Sequence, residues 1–376
     1  MQIHKDCSFV IALSAIEGLG PVRLVALIRE FGSAEAVFKA SMKSLSSIAY
    51  LSEDVVLRIV KNQTIHFYKK ILDEVIEKKC WILHFLDESY PRRLLATSAF
   101  PPLLFGCGDK SAIEANSMLA IVGSRRMTAY GARVIKKWLP NLPAQDVNIV
   151  SGMAYGVDAC ALTAALDAKM KVVGVQADGV LKSSPRGNQK LYERILSEGG
   201  CIVSEFWRLE AMDRFAFPRR NRIISGLCDT VWIVEAAKKS GSLVTSAYAV
   251  EQNRNVVALP GNVDVETSRG CLELISQGAK PTLEWQHLVD DLPCSRKLPT
   301  YKIVPQQYNP PMQNEVLFSS NIEKCIYDNC QANPCSLDEL IDVCEQPASQ
   351  VMVHVTKMQL AGLLTQNSGG KFAVGC

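Results

Sequence analysis

The sequence predicts an α/β protein: a doubly wound core, a wholly helical N-terminal region and a small C-terminal domain of helices and a hairpin. Three observations predict this. Short β-branched runs alternate with helical stretches between residues 81 and 290, residues 1–80 carry only helical periodicity, and a proline-rich segment sets off residues 319–376. Continuous apolar strands separated by helices mean a parallel sheet covered on both faces. A chain of 376 residues holds two or three domains with full cores.

In residues 1–80, Phe9, Leu13 and Ile16 share a helical face, and Gly18-Leu19-Gly20-Pro21 turns the chain into Val22, Leu24, Val25, Leu27 and Ile28. Phe31-Gly32-Ser33 ends that second helix with glycine and caps the next with serine. Helix, Gly-Leu-Gly turn, helix resembles a helix-hairpin-helix module, whose turn amides approach a DNA phosphate. A small interaction bundle with a tight turn fits the same residues.

Six strands follow, at 119–122, 147–150, 172–175, 201–203, 231–234 and 256–259. This is a Rossmann-like core over 81–290, extended beyond a minimal unit, whose ligand sits outside the carboxyl ends of the strands. Pro293, Pro299, Pro305, Pro310 and Pro311 mark 291–318 as a linker. Helices from Ile322, from Ser336 and over Ser349–Leu360, then a hairpin with Gly369-Gly370 at its turn, make 319–376 a winged-helix-like domain.

Composition narrows the chemistry. A hydrophobic fraction of 48% and a charged fraction of 21% exclude a disordered chain. A net charge of +3 excludes a uniformly basic one, so nucleic-acid affinity has to come from local clusters. Thirteen cysteines without a framework of spacings read mostly as small apolar thiols in a reducing compartment. No apolar run is long enough for a membrane span, and Asp6 spoils the signal-peptide pattern of Cys7–Ile16. The expected location is the cytoplasm.

Three turns at one sheet edge carry anion-binding signals. Gly123-Ser124-Arg125-Arg126 follows the first of these strands, and no acid occurs from there to Lys137. Ser151-Gly152 opens a similar turn, continuing to Gly156-Val157-Asp158, and Ser240-Gly241-Ser242 with Thr245 makes a third. The sharpest segment is Phe215–Gly226. There Arg214, Arg219, Arg220 and Arg222 place four cations in nine residues beside Phe215, Phe217 and Asn221. Guanidinium groups pair with phosphate and aromatic rings stack on unpaired bases, a combination suited to single strands.

Neither GxGxxG nor GxxxxGK[ST] occurs, so no nucleotide cofactor is expected. Cys325, Cys330 and Cys335 are five apart, wider than zinc pairs, so no metal is expected. No Ser–His–Asp or paired-carboxylate pattern emerges, and the chain reads as a binding protein and not an enzyme.

These segments resemble the DNA-processing protein A (DprA/Smf) family over nearly the whole chain. The resemblance rests on Tyr90-Pro91-Arg92-Arg93-Leu94, Pro101–Gly106, Val122–Arg125, Ser151–Asp158, Phe217–Leu227, Val234-Glu235-Ala236, Ser240–Thr245, Leu259-Pro260-Gly261, Ser268–Cys271 and Gln277-Gly278-Ala279. It implies single-stranded DNA binding, protection of incoming DNA and loading of the recombinase RecA during natural transformation, by a core that dimerises. It also assigns the family's phosphate-binding arginine to Arg125 and its basic segment to Phe217–Arg222. Departures occur at Ala216, where a histidine is usual, at Gln176-Ala177-Asp178-Gly179 in place of a glycine-rich loop, and at Ser184 in place of tyrosine. Asp178 would repel an anion there. A second reading is a nucleotide phosphoribohydrolase, whose Gly-Gly-x-Gly-Thr turn resembles Ser240–Thr245. Such enzymes need a glutamate shortly after the threonine, and Ser246-Ala247-Tyr248 stand there instead. In the winged unit, the third helix offers only His354 and Lys357 as cations, which points to protein interaction in preference to duplex binding.

Overall fold

The computed structural model describes residues 3–61, 65–208, 216–295, 320–332, 334–344, 346–360, 363–366 and 371–374. Two compact units are present, Met1–Pro299 and Thr300–Cys376. Most of the expected linker, with Arg214, Phe215, Gly362 and Gly369-Gly370, lies outside the described residues.

The first unit begins with helices Cys7–Ser14, Pro21–Phe31, Ala34–Lys39, Met42–Ser46, Glu53–Lys61 and Ile65–Glu77. Gly32 ends the second of them at φ 81°, a left-handed cap that glycine takes without a Cβ penalty. Ser33 then accepts a hydrogen bond from the Ala36 amide, as its position predicts.

Nine strands form one sheet among the described residues: β1 (Trp81–His84), β2 (Leu103–Gly108), β3 (Ser117–Val122), β4 (Val147–Ser151), β5 (Val172–Val175), β6 (Cys201–Ser204), β7 (Thr230–Ile233), β8 (Asn255–Ala258) and β9 (Lys280–Pro281). Their order is β1-β2-β6-β5-β4-β3-β7-β8-β9. From β6 to β9 all neighbours are parallel. The strands read from β-branched runs are β3 to β8. The wholly parallel expectation is corrected at one edge, where β1 pairs antiparallel with β2 and β2 antiparallel with β6. The connection from β1 to β2 carries the short helix Arg92–Leu95, and an antiparallel pair extends the sheet without crossing over its face.

That pair also departs from the reduced-thiol reading. Trp81 opposes Gly106, so Cys80 stands opposite Cys107, and the two are disulfide-bonded with Cα atoms 4.4 Å apart. The other described cysteines are free; Cys7, Cys201, Cys228 and Cys271 are buried in the first unit as small apolar residues.

The topology places the site. From β3 the chain winds outward through β4, β5 and β6, then returns to β7 on the other side of β3. The direction of winding reverses between β3 and β7, and a crevice opens at their carboxyl ends. Beneath it, the fully buried Trp232 stacks on Trp138 with ring centroids 5.5 Å apart and donates to Thr282 Oγ1 at 3.1 Å.

The second unit contains helices Asn321–Ala332, Leu337–Cys344 and Ala348–Leu360, then an antiparallel pair, β10 (Leu364–Gln366) and β11 (Phe372–Val374). Ser336 and Glu339 cap the middle helix reciprocally, Glu339 N to Ser336 Oγ at 3.3 Å and Ser336 N to Glu339 Oε2 at 2.6 Å. Ile326, Cys330, Leu340, Val351, Val355, Met358, Leu364 and Phe372 form its core. No helix among the described residues is long and apolar enough to cross a membrane.

Candidate nucleic-acid interface

At the carboxyl ends of β3 and β7 lies a cavity of about 860 Å³. Its walls are Gly123–Arg126 after β3, Ala154 and Asp158 after β4, Phe217, Pro218, Arg220 and Asn221 at the start of helix Ala216–Leu227, and Ala237–Ser242 with Val244 and Thr245 after β7. The segments singled out in the sequence therefore meet in one place.

Two buried carboxylates organise these turns. Asp158 Oδ2 accepts from the amides of Gly152 at 3.1 Å and Ala154 at 3.3 Å, and the carboxylate also accepts from the Gly123 amide. Burial pushes the Asp158 carboxyl above the usual range, opposed by the Arg220 charge and these amides. Glu235 accepts from Thr128 N at 2.9 Å, from the Thr128 hydroxyl and from Gly131 N at 3.1 Å. It thus occupies the N-terminus of helix Ala129–Trp138. This corrects an expectation: the turn amides were expected to face a phosphate, but those of Gly123, Gly152, Thr128 and Gly131 already serve protein carboxylates. Ser151 is likewise turned inward, its hydroxyl donating to Ile121 O at 2.6 Å.

The arginine cluster divides three ways. Arg125 and Arg126 are exposed, and the Arg125 guanidinium lies over the Phe217 ring, 5.4 Å from its centroid. Arg220 is buried and donates to the carbonyls of Gly152 and Val175, beside Asp158. Burial lowers its pKa to about 10. Arg222 is buried too, donating to Ala99 O and pairing with Glu205 Oε2 at 2.7 Å. Arg220 and Arg222 hold strands, helix and loops together, and their expected role as phosphate ligands is corrected on that ground. Helical spacing explains the division on helix Ala216–Leu227: Arg219, Arg220 and Arg222 have different azimuths and cannot all face one groove. Arg219 is exposed but faces elsewhere, over the Phe206 ring at 4.7 Å and 3.5 Å from Glu205, in a separate cavity of about 710 Å³ shared with the Gly18–Pro21 turn.

The third turn stays open. Ser240 caps helix Gly241–Glu251, its hydroxyl 2.8 Å from that of Ser242, and Asn221 Nδ2 donates to Gly241 O at 3.2 Å. A Cβ at Gly241 would meet nothing within 4 Å. Thr245 is 1% exposed and forms part of the floor. Sequence reading missed Lys238 and Lys239, which line the cavity, are exposed, and show no ion pair among the described residues. Their signal was a Lys-Lys pair between a strand and a helix cap. Arg186 is a further exposed cation, next to Gly187, which the ring of the half-exposed Tyr155 covers. Gln176 replaces the usual glycine-rich loop by bonding across it, to Gly179 O at 3.0 Å, Lys182 O at 3.1 Å and Ser184 N at 2.7 Å. Asn188 ties the same loop to Met153 O at 2.7 Å.

Comparison with known proteins identifies the family. The model of the DNA recombination-mediator protein A family matches residues 81–293, more than half of the chain. The chain belongs to this family. Protein Smf of Synechocystis is 30% identical over 98% of this chain and 99% of its own length. Protein Smf of Escherichia coli is 36% identical over 76% of this chain and 75% of its own. The X-ray structure of DNA processing protein A from Streptococcus pneumoniae superposes with a TM-score of 0.66 at 29% identity, covering 78% of this chain and 99% of that one. DNA processing protein A from Helicobacter pylori, solved for its single-stranded DNA binding mode, superposes with a TM-score of 0.50 at 27% identity, over 56% of this chain and 94% of that one. Residues 81–293 contain every segment that walls the cavity.

Proposed function

We propose that this protein binds single-stranded DNA across the carboxyl ends of β3 and β7 and hands it to a RecA recombinase in the cytoplasm. In this reading it acts as a dimer formed through the core and protects DNA entering during transformation. The observation that carries the reading is Arg125 stacked on Phe217 at the cavity, with Arg126, Lys238 and Lys239 as further exposed cations around it. Cations pair with phosphates while the aromatic ring gives a base a stacking face, and neither contact depends on base identity. The single-strand binding of the H. pylori relative supports the same assignment.

The winged unit serves protein contacts in this reading. Among its third-helix cations, Lys357 pairs with Glu323 at 2.8 Å and His354 lies 3.2 Å from the same carboxylate, which leaves little charge for a duplex. The test is fluorescence anisotropy with single-stranded and duplex DNA of equal length, followed by RecA assembly on the same strand. Preference for the single strand and faster RecA assembly are the expected results. Equal binding to duplex refutes the assignment. Base release from nucleoside monophosphates would favour the phosphoribohydrolase reading instead.

A further inference from the structure

Four of the thirteen cysteines, Cys325, Cys330, Cys335 and Cys344, fall within twenty residues of the second unit. As isolated residues they would be small core thiols, and Cys330 does lie in the core at 3% exposure. Their arrangement goes further. Cys325, on helix Asn321–Ala332, contacts the end of helix Leu337–Cys344. Its sulfur lies 3.9 Å from Val343 O, and the Cys325 and Cys344 thiols are hydrogen-bonded to each other. At the opposite end of the same helix pair, Cys330 and Cys335 are hydrogen-bonded through their thiols. Cys335 is held in place by paired backbone bonds with Phe372, at 2.9 and 2.7 Å. Among the described residues no three metal-ligating side chains converge.

We propose that Cys325 with Cys344, and Cys330 with Cys335, are two dithiol pairs that close to disulfides under hydrogen peroxide, making the second unit an oxidation-sensitive module. The proposal stands independently of the DNA reading. In the first pair, burial pushes the Cys344 thiol up to about 12, and either sulfur of a dithiol can make the first attack with the same product. When Cys325 is first, its thiolate attacks one peroxide oxygen; an S–O bond forms, the O–O bond breaks, and hydroxide leaves to become water. The Cys344 sulfur then attacks the sulfenic sulfur. An S–S bond forms, the S–O bond breaks, and the departing hydroxide takes the Cys344 proton as a second water. Two thiols lose two electrons and one peroxide gains them. In the second pair, burial pushes the Cys330 thiol up to about 11, and the same two steps join it to Cys335. Closure ties the first helix of the unit to the segment around the second at both ends, across separations of nineteen and five residues.

The test uses the reduced full-length chain treated with at least three equivalents of hydrogen peroxide, one for each of the two pairs and one for Cys80 with Cys107, then blocked with N-ethylmaleimide and cleaved after acidic residues. Cleavage after Glu323, Asp328, Asp338, Asp342 and Glu345 puts Cys325 on 324–328, Cys330 and Cys335 together on 329–338, and Cys344 on 343–345. The expected masses are 324–328 disulfide-linked to 343–345, and 329–338 lighter by two hydrogens with no maleimide. Cys344→Ser should abolish the first link and leave the second. Four maleimide-labelled thiols after peroxide, a link between 324–328 and 329–338, or a 324–328 link that survives Cys344→Ser would each overturn the proposal.

Discussion

Replacing Arg222 by alanine removes a guanidinium whose side chain is 5% exposed and which stands 2.7 Å from Glu205 Oε2. Glu205 is itself 12% exposed in its side chain, so the change leaves a largely buried carboxylate without its principal partner. Breaking a buried pair from one side costs about 3–5 kcal/mol. Arg219 remains 3.5 Å from the same oxygen, so the lower end of that range, about 3 kcal/mol, applies. At roughly 2–4 °C per kcal/mol for a domain of this size, the first unit should melt about 6–12 °C lower. The assay is thermal denaturation followed by circular dichroism, paired with single-strand affinity against salt at a temperature where the variant is folded. Because Arg222 faces Glu205 and Ala99 and not the cavity, the slope of log K against log salt should match that of the wild type. Arg125→Ala should do the reverse. Its melting temperature should move little, since exposed substitutions stay within about 0.5 kcal/mol, while its salt slope should fall by about 0.7. An Arg222→Ala protein that melts with the wild type and shows a flattened slope would refute the division of the arginines. The double variant Glu205→Gln, Arg222→Met should recover part of the lost stability, because no charge is then left buried alone.

Asp158→Asn should cost about 3 kcal/mol and weaken DNA binding together with stability, because Asp158 holds the amides of three turn residues and balances Arg220; a variant melting like the wild type would contradict this. Gly241→Ala should leave the melting temperature within about 3 °C, since its Cβ enters open space. If a phosphate approaches that helix N-terminus, anisotropy should show at least a severalfold loss of single-strand affinity, and unchanged affinity would exclude the approach. Gly106→Ala should destabilise the protein by about 2–3 kcal/mol in chemical denaturation, because its Cβ would run into the Trp81 ring. Wild-type stability would mean that Trp81 packs elsewhere.

Much of this protein was readable from sequence because it depends on local order. Strands β3 to β8 announce themselves as β-branched runs, since a parallel strand buried on both faces needs an unbroken apolar stretch. The cap at Phe31-Gly32-Ser33 is legible for a similar reason: a left-handed turn and a hydroxyl acceptor are demands on single residues. Convergence of the turns after β3, β4 and β7 also followed, because doubly wound topology brings those strand ends to one edge. The antiparallel pair did not stand out, since β1 is four residues long and β2 contains Gly106 and Gly108. Its Cys80–Cys107 bond depends on register, which sequence spacing alone leaves open.

What tertiary structure decided is which charges are available. Phe217–Arg222 reads as one uniformly basic segment, yet the direction of each side chain from its helix sends Arg220 under Asp158, Arg222 to Glu205 and Arg219 over Phe206. Lys238 and Lys239 look unremarkable as a pair, but their loop after β7 brings them to the rim that Arg125 shares. The physical reason is that a charge acts according to what neutralises it. Counter-charges such as Asp158 for Arg220 and Glu205 for Arg222 come from other segments of the chain, and only the folded chain sets those distances.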